Sequence, residues 1–452
     1  MASTILTRTA TATGNNKILT WSGWVKRSDN STGQLIAANG NPSDANYIIF
    51  FEFTGGGLRF IIKSLSILAN VETNVLFQDL SAWYHLVFTM DTTQATASDR
   101  VKMYVNGEEI TDFALTSYPS QNLGTQFNNA GSVISVGGKA VTGANTDFFN
   151  GYMSHVHFID GTVYGPSTFG ETDTTTGQWK INTSPTIADY GTNGFFILKD
   201  DNSVTDQSGK GNNFTVGGGT LTKTEDNPSN VFATMNPLAT SSYITLSNGN
   251  LTATGNTGAE SGNSFCNYVP TTGKWYVEYK VTGISGNSAP TIGIRQEYPD
   301  GFQLTNTNAG QAGYATAYEA SIRRDGQRYQ NNGTGSWGTS YTTGDIISIA
   351  LDCDNGAGYI AKNATYMNSG DPTSGASKTG AFVVWTQAQV NNFGQAFAVN
   401  NYSGSATQAN FGNGYFGTTA VASAGTNASG IGIFEYDVPT GYTALSTKGL
   451  NL

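Results

Sequence analysis

The stretch GKWYVEYKV at residues 273–281 decides the fold class of this chain. Apolar and mostly polar residues alternate along it: Trp275, Val277, Tyr279 and Val281 are separated by Tyr276, Glu278 and Lys280. Successive side chains of a β-strand point to opposite faces of a sheet, so this period of two predicts a strand with one buried face. Because the alternation recurs in VKMYV at 101–105 and ISIAL at 347–351, we expect such strands in both halves of the chain.

Turn signals separate these short strands, and helical periodicity is nearly absent. The pairs that predict tight turns are Asn106-Gly107, Asp160-Gly161, Asp325-Gly326 and Asn355-Gly356. Many short strands joined by glycine-rich turns are typical of β-sandwiches and barrels. The sequence therefore predicts an all-β protein.

The length and a change in composition predict two tandem domains. A chain of 452 residues exceeds one ordinary sandwich and fits two domains of roughly 200 residues each. Polar, turn-rich sequence fills the region from about 171 to 240. We expect a first sandwich at 1–180, a connector with one or two strands at 181–238, and a second sandwich at 239–452.

Charge and hydropathy exclude several partner classes. The net charge is −10, so an acidic chain gains nothing from a phosphate backbone and no nucleic-acid partner is expected. Apolar runs are strand-sized, whereas a membrane-spanning helix needs about 20 residues, so no membrane insertion is expected. The start, MASTILTRTATATG, does not read as a secretory signal, which indicates synthesis in a cytoplasm. Cys266 and Cys353 are too few for a disulfide scaffold; they could pair with each other, but we interpret them as buried, reduced thiols.

The first half resembles the laminin-G and concanavalin A-like family. The pieces that carry the resemblance occur in the family's order: WSGWVK at 21–26, WYHLV at 83–87, Asp91, MYVNG at 103–107, SVISVGG at 132–138, and a closing strand through Val156 and Phe158. Together they span about 160 residues. The resemblance implies an antiparallel sandwich of the jelly-roll type.

The second half resembles a SPRY-type concanavalin-like module. The carriers are GKWYVE at 273–278, IGI at 292–294, GDII at 344–347, Leu351-Asp352 and NFG at 410–412. The expected fold is therefore two tandem antiparallel β-sandwiches.

Three other stretches resemble structural proteins of marine tailed bacteriophages. They are residues 91–107, 158–180 and 438–452. The resemblance implies a component of the virion surface that is made in the host cytoplasm, with other virion proteins and further copies of itself as partners. It does not choose between a tail appendage, a capsid-surface fibre and a capsid cement or connector.

An enzyme is not expected, although related sandwiches include glucanases. Those enzymes hold two carboxylates about 5–5.5 Å apart on one strand face. The pairs Asp352/Asp354 and Glu435/Asp437 share a strand face, but neither sits in the glucanase pattern of three carboxylates. A polysaccharide depolymerase remains the third alternative.

Metal binding has two candidate sets. His155 and His157 lie two apart on a predicted strand, without an identifiable third ligand. Laminin-G and lectin-like sandwiches often hold calcium with Asp, Asn and carbonyl oxygens on a rim loop, which makes Asp91, Asp99 and Asp147 candidates for a structural calcium site. The competing interpretation is that these aspartates form turns. No other cofactor is expected.

Aromatic residues among amides form the candidate carbohydrate site. Aromatic rings stack on the apolar faces of sugars, and amides bind their hydroxyls. The candidates are Tyr329, Asn331, Asn332, Trp337, Tyr341, Asn400 and Tyr402. Such loops suit a host glycan, and equally a neighbouring subunit, because interfaces are also rich in Tyr and Trp.

Overall fold

The protein folds into two compact β units, at Met1–Lys223 and Thr224–Leu452. The computed structural model describes residues 4–40, 46–64, 66–125, 127–140, 145–175, 177–199, 203–258, 261–286, 289–297, 312–314 and 316–451. Within these ranges the only helices are short 3₁₀ segments at Ala97–Asp99, Pro166–Thr168, Met367–Ser369, Pro372–Ser377 and Gly449–Asn451.

The first unit consists of two antiparallel sheets and a small hairpin. Its strands are β1 (Ile5–Thr9), β2 (Ile18–Arg27), β3 (Gln34–Gly40), β4 (Asn46–Thr54), β5 (Gly57–Ser64), β6 (Ser66–Thr73), β7 (Tyr84–Asp91), β8 (Val101–Val105), β9 (Glu108–Glu109), β10 (Phe113–Ser117), β11 (Val133–Val136), β12 (Gly151–Asp160), β13 (Gly170–Thr172), β14 (Trp179–Ile181), β15 (Phe195–Ile197) and β16 (Thr215–Gly218). One sheet has the order β10-β6-β5-β4-β3-β11-β1-β16, the other has the order β15-β12-β2-β7-β8-β9, and β13 pairs with β14.

Side chains from both sheets of the first unit meet in one core. Trp21 of β2 and Phe88 of β7 face Phe51 of β4 and Phe60 of β5. Trp21 lies edge-on to Phe51 with ring centroids 5.4 Å apart, and Phe60 lies 4.4 Å from Phe88. Along β8, buried residues alternate with half-buried ones, as the period-two pattern predicts.

The second unit also consists of two sheets. Its strands are β17 (Met235–Thr240), β18 (Ile244–Ser247), β19 (Thr252–Gly255), β20 (Gly262–Cys266), β21 (Lys274–Gly283), β22 (Thr291–Gln296), β23 (Ala320–Arg323), β24 (Gln327–Gln330), β25 (Gly333–Ser336), β26 (Ile346–Asp352), β27 (Ala357–Lys362), β28 (Thr365–Tyr366), β29 (Val383–Val384), β30 (Gln395–Asn401), β31 (Ala406–Asn410), β32 (Tyr415–Phe416), β33 (Thr419–Ala420) and β34 (Thr443–Ala444).

The sheets of the second unit enclose a core of their own. Seven strands have the order β17-β20-β30-β22-β23-β24-β25. The other sheet has the order β18-β19-β31-β21-β26-β27-β28, with β29 beside β27 and β34 beside β21, and β32 and β33 form a separate hairpin. The pair β21–β34 is parallel, whereas the other strand pairs are antiparallel. The expectation of an all-β chain with antiparallel sandwiches is confirmed.

The region predicted as a connector, 181–238, is shared between the units. Its strands β15 and β16 pair with β12 and β1 of the first unit. Phe232 and Met235 are buried in the second unit, whose boundary lies between Lys223 and Thr224.

A later segment of each unit covers the outer face of one of its sheets. The first cover, residues 164–190, places Phe169 and Tyr190 against Val87 and Ile159. The second cover, residues 431–446, places Phe434 and Tyr442 in a cluster with Tyr276 of β21 and Tyr359 of β27. These two sheet faces are therefore buried within their own units.

Candidate functional site

Three loops of the second unit meet at one rim, which we call the Tyr402 rim. They are residues 241–243, 256–258 and 402–405, which lie at the ends of β17, β19 and β30. The hydrogen bonds that join them run from Asn256 N to Tyr243 O at 2.8 Å, from Gly258 N to Ser403 Oγ at 2.9 Å, and from Gly404 N to Gly255 O at 3.1 Å. The rim is thus held by backbone groups together with the hydroxyls of Ser403 and Ser405.

The Tyr402 ring is the main exposed feature of this rim. Its side chain is 43 % exposed, although its backbone is fixed by Ser405, whose Oγ accepts from the Tyr402 N–H at 2.8 Å. Tyr243 is half-buried on the neighbouring loop, and Ser242 and Thr257 are exposed. An exposed ring on a fixed backbone can stack on an apolar sugar face, and exposed hydroxyl groups of the same loops can form hydrogen bonds with a sugar.

Two predicted carbohydrate-binding residues are buried, so the prediction was wrong for them. Tyr341 is 3 % exposed, and its hydroxyl lies 2.7 Å from Pro290 O and 3.0 Å from Ile322 O. Asn400 is 6 % exposed, and its Nδ2 donates to Ser261 Oγ and Asn263 Oδ1 at 2.7 and 2.8 Å. Their polar groups are satisfied inside the protein and do not face a ligand.

The remaining candidates belong to the β24–β25 hairpin and the segment after it. Asn331 and Asn332 form its turn with φ of 50° and 55°, and Tyr329 donates its hydroxyl to Asn332 Oδ1 at 2.9 Å. Trp337 is half-buried and packs edge-on against Phe382, with ring centroids 5.2 Å apart. Asn331 and Asn332 are therefore exposed mainly as turn residues, and Trp337 closes the end of the core.

Sheet register separates the hairpin turn from the Tyr402 rim. Thr291 pairs with Asn400 next to the rim, whereas Gln296 pairs with Gln395 at the other end of β22. In the next strand, β23, Ala320 pairs with Ile294 and so lies towards the Gln296 end of β22. The hairpin turn belongs to this end, where Asn332 N donates to Gly313 O. The predicted residues therefore do not converge into one site, and Tyr402 stands apart from Asn331 and Asn332.

The aspartates predicted to bind calcium do not converge on one place either. Asp91 pairs with Ile18 at the first end of β2. The carbonyl of Asp147 accepts from Leu35 N of β3, near the other end of β2. Asp91 Oδ1 instead accepts from Thr93 N and Oγ1, at 3.0 and 2.6 Å, as turn-forming aspartates do. Asp99 forms an ion pair with Lys102 at 3.6 Å. Among the described residues, no three His, Cys, Asp or Glu side chains are grouped to hold a metal.

The histidines of the first unit bind protein groups beneath the first cover. Trp179 Nε1 donates to His85 Nδ1 at 3.0 Å, so neutral His85 carries its proton on Nε2 and donates to Ser22 Oγ at 2.9 Å. Burial lowers the pKa of His85 to about 3. His157 Nδ1 lies 2.9 Å from the Tyr190 hydroxyl, and burial followed by the charge of His155 lowers its pKa well below the ordinary value.

A break in β12 changes the predicted relation between His155 and His157. The register with β2 shifts between Ser154 and His157, and His155 has a φ of 49°. His155 Nδ1 lies 2.8 Å from Ser154 Oγ. The regular alternation of side chains along β12, which would place His155 and His157 on one face, is therefore interrupted. Both rings have hydroxyl partners within the protein.

The second cover also buries a titratable group, Glu278 of β21. Its Oε2 accepts from Glu435 N and its Oε1 from Tyr436 N, both at 2.8 Å, while Asn410 Nδ2 and the Tyr276 hydroxyl each lie at 3.3 Å. The side chain is fully buried, and this burial raises the pKa of Glu278 to about 7. Glu278 thus connects the cover to the sheet, a role that the sequence alternation alone did not indicate.

The carboxylate pairs considered for catalysis form structural contacts. Asp352 is buried and lies 3.1 Å from Lys274 Nζ, and Asp354 Oδ1 accepts from Gly273 N at 2.7 Å. Glu435 Oε2 accepts from Ala422 N, and Asp437 Oδ1 accepts from Thr426 N.

Both cysteines are buried and free, in agreement with their interpretation as thiols. Burial raises the pKa of Cys266 to about 12. In the part of the chain that the structure describes, no helix is long and apolar enough to cross a membrane.

Comparison with known protein families finds a match within the first unit. Residues 3–165 match the concanavalin A-like lectin/glucanases superfamily. No curated protein is similar to the chain in sequence.

The solved structures that resemble the chain include the SPRY domain of human HERC1, at 18 % identity over 39 % of this chain and 96 % of that chain, with a TM-score of 0.29. A heptameric SAP-like pentraxin from Limulus polyphemus is 16 % identical over 36 % of this chain and 71 % of that chain, with a TM-score of 0.27. The laminin-G resemblance thus agrees with the family model, and residues 3–165 are similar to a concanavalin A-like domain.

Proposed function

We propose that this protein is a non-enzymatic component of a bacteriophage virion surface that binds host or environmental glycans. It is synthesised in the host cytoplasm and assembles with other virion proteins as a tail appendage or capsid-surface fibre. The virion assignment is supported by the phage-like stretches at 91–107, 158–180 and 438–452. The superfamily matched at residues 3–165 includes lectins by its description, which supports carbohydrate as a ligand class for the first unit.

The Tyr402 rim is the observation that carries the glycan proposal. Tyr402 offers an exposed ring on a backbone that hydrogen bonds hold in place, so little conformational entropy is lost when a sugar stacks on it. One ring gives weak affinity. Many copies on a particle raise the overall affinity through their effective concentration.

We propose that the protein is not an enzyme because the close carboxylate pairs already form ion pairs or hydrogen bonds within the protein. The ion pair of Asp352 with Lys274 and the backbone bonds of Asp354, Glu435 and Asp437 hold these groups in structural contacts. A glycosidase needs one carboxyl group to donate a proton and another to act as nucleophile or base at the same bond.

An array of bacterial surface polysaccharides tests the proposal with the full-length protein. We expect Tyr402→Ala to lower the affinity about tenfold, which corresponds to roughly 1.4 kcal/mol. Tyr415→Ala is the matched control, because Tyr415 is a half-buried tyrosine beyond the far end of β31 and should leave binding unchanged. Equal binding by the wild type and Tyr402→Ala would reject the rim, and release of reducing ends from a bound polysaccharide would reject the non-enzymatic assignment.

A further inference from the structure

Charged residues are missing from the stretches of sequence that build the Tyr402 rim. Although 12 % of the chain is charged, three long stretches of the second unit contain no Asp, Glu, Lys, Arg or His: 227–259, 281–294 and 379–434. All three loops of the Tyr402 rim lie in the first and third of these stretches. The fold thus brings uncharged sequence from distant parts of the chain together at one rim.

The second uncharged stretch adds an apolar residue beside this rim. Gly283 pairs with Ala406, and a Cβ at Gly283 would lie 2.8 Å from Gly404 O. Ile284 follows directly and is 37 % exposed. The Tyr402 ring and Ile284 therefore adjoin the same turn, and both offer apolar surface there.

Two basic side chains lie on strands near the rim, and both contact protein groups. Lys280 of β21 holds its Nζ over the Phe416 ring, 5.7 Å from the centroid. Arg323 of β23, two strands from β30, forms an ion pair with Asp325 at 3.5 Å. The described residues of the rim loops include no basic side chain. A carboxylate or phosphate group on a bound sugar would therefore find no cation on these loops.

We propose that the Tyr402 rim binds uncharged sugars and discriminates against glycans that carry carboxylate or phosphate groups, an inference that rests on the proposed function. A charged group loses hydration when it enters a binding site and needs an opposite charge there in return. Hydroxyls and an aromatic ring instead suit the hydroxyls and C–H faces of a neutral sugar. The net charge of −10 adds repulsion against acidic polymers at longer range.

An array of bacterial surface polysaccharides, sorted by composition, tests this selectivity with the full-length protein. We expect the binding that Tyr402→Ala weakens to favour neutral polysaccharides at least about tenfold over those with a uronic acid or phosphate in every repeat. Its affinity should change less than about twofold between about 50 and 500 mM NaCl, because salt screens only interactions between charges. Tyr402-dependent binding that favours acidic polysaccharides, or that salt weakens strongly, would overturn the neutral-sugar inference and leave the glycan proposal standing. Binding that does not depend on Tyr402 at all would reject the rim itself.

A charge placed on the rim provides the second test. Thr257→Lys adds a cation to the rim, and Thr271→Lys adds the same charge at an exposed threonine before β21, at the end of that strand opposite to Gly283. We expect Thr257→Lys to raise the affinity for acidic polysaccharides about fivefold at low salt, as one exposed ion pair can, and Thr271→Lys to leave it unchanged. Equal gains for both variants would assign the selectivity to net charge and not to the rim, and no gain for a folded Thr257→Lys protein would also overturn the inference.

Discussion

The two covers bury similar sheet faces around groups of opposite chemistry. The first cover encloses the bases His85 and His157, and its Trp179 and Tyr190 supply hydrogen bonds to them. The second cover encloses an acid, Glu278, and supplies two backbone N–H donors to it. The comparison shows that either a buried base or a buried acid can hold a covering segment in place. The segment must supply a hydrogen-bond partner that suits the buried group.

The difference gives the two covers opposite responses to pH. The folded pKa of His85, about 3, lies below its ordinary value of 6.5, so His85 stabilises the fold above pH 6.5 and this contribution is lost as pH falls towards 3. The folded pKa of Glu278, about 7, lies above its ordinary value of 4.5. Its contribution is therefore fully present below pH 4.5 and is lost as pH rises through about 7.

Lowering the pH from 8 to 4.5 gives the largest expected effect. At about 1.4 kcal/mol for each pKa unit, Glu278 should strengthen the second unit by roughly 3 kcal/mol, and His85 alone should weaken the first by a similar amount. Hydrogen exchange, corrected for the intrinsic rate at each pH, can follow peptides of β7 and β21 separately. Slower exchange in β21 and faster exchange in β7 at the lower pH is the expected result.

A variant of the acid provides the control for this experiment. Glu278→Gln removes the titration, so the pH dependence of β21 should flatten while that of β7 is retained. The variant should also be less stable at acid pH by about 1–3 kcal/mol, because an amide NH₂ would face a backbone N–H donor. If β21 keeps the same pH dependence without the carboxyl group, Glu278 is not its source.

The next largest effect concerns Trp179, whose ring fills a flat slot. It stacks on His85 with centroids 5.9 Å apart, and a Cβ at Gly107 or Gly170 would lie 2.5 or 2.6 Å from its ring. Trp179→Ala should destabilise the first unit by about 2 kcal/mol, below the range for a fully buried aromatic because the ring is half-buried. Trp179→Phe keeps a stacked ring without the N–H donor and should cost about 1 kcal/mol. Urea unfolding of each variant measures these losses, and an equal loss for Phe and Ala would assign the effect to the hydrogen bond alone.

The sequence predicted the sheets well because period-two burial is a local property. Residues 274–281 lie within β21, although the second cover buries Tyr276 and Glu278 on its other face as well, and VKMYV at 101–105 is β8 in full. It did not predict the covers, because Glu435 and Glu278 are far apart in sequence and the hydrogen bond between them depends on how a later segment crosses the sheet. No repeating pattern marks such a crossing.

The candidate site was predicted less well, for a related reason. The sequence shows that Tyr341 and Tyr402 stand among amides and glycines, but it does not show which ring faces the core. Tyr341 is buried and its hydroxyl lies within hydrogen-bonding distance of two carbonyl oxygens, whereas Tyr402 is exposed at a turn. Tyr243 was missed because its loop joins the rim only through long-range contacts such as that with Asn256.

The smallest effect compares one hydroxyl group in each cover. Tyr190→Phe removes the hydroxyl 2.9 Å from His157 Nδ1 and should cost the first unit about 1–2 kcal/mol, since a buried ring nitrogen loses its partner. Tyr442→Phe removes the hydroxyl that donates to Pro372 O at 3.0 Å and should cost the second unit about 1 kcal/mol. Hydrogen exchange in β12 and β27 can follow each loss in its own unit. If Tyr190→Phe were neutral, His157 would be held by its ring contacts with Phe169 and Phe196, and the first cover would depend on packing more than on its polar bonds.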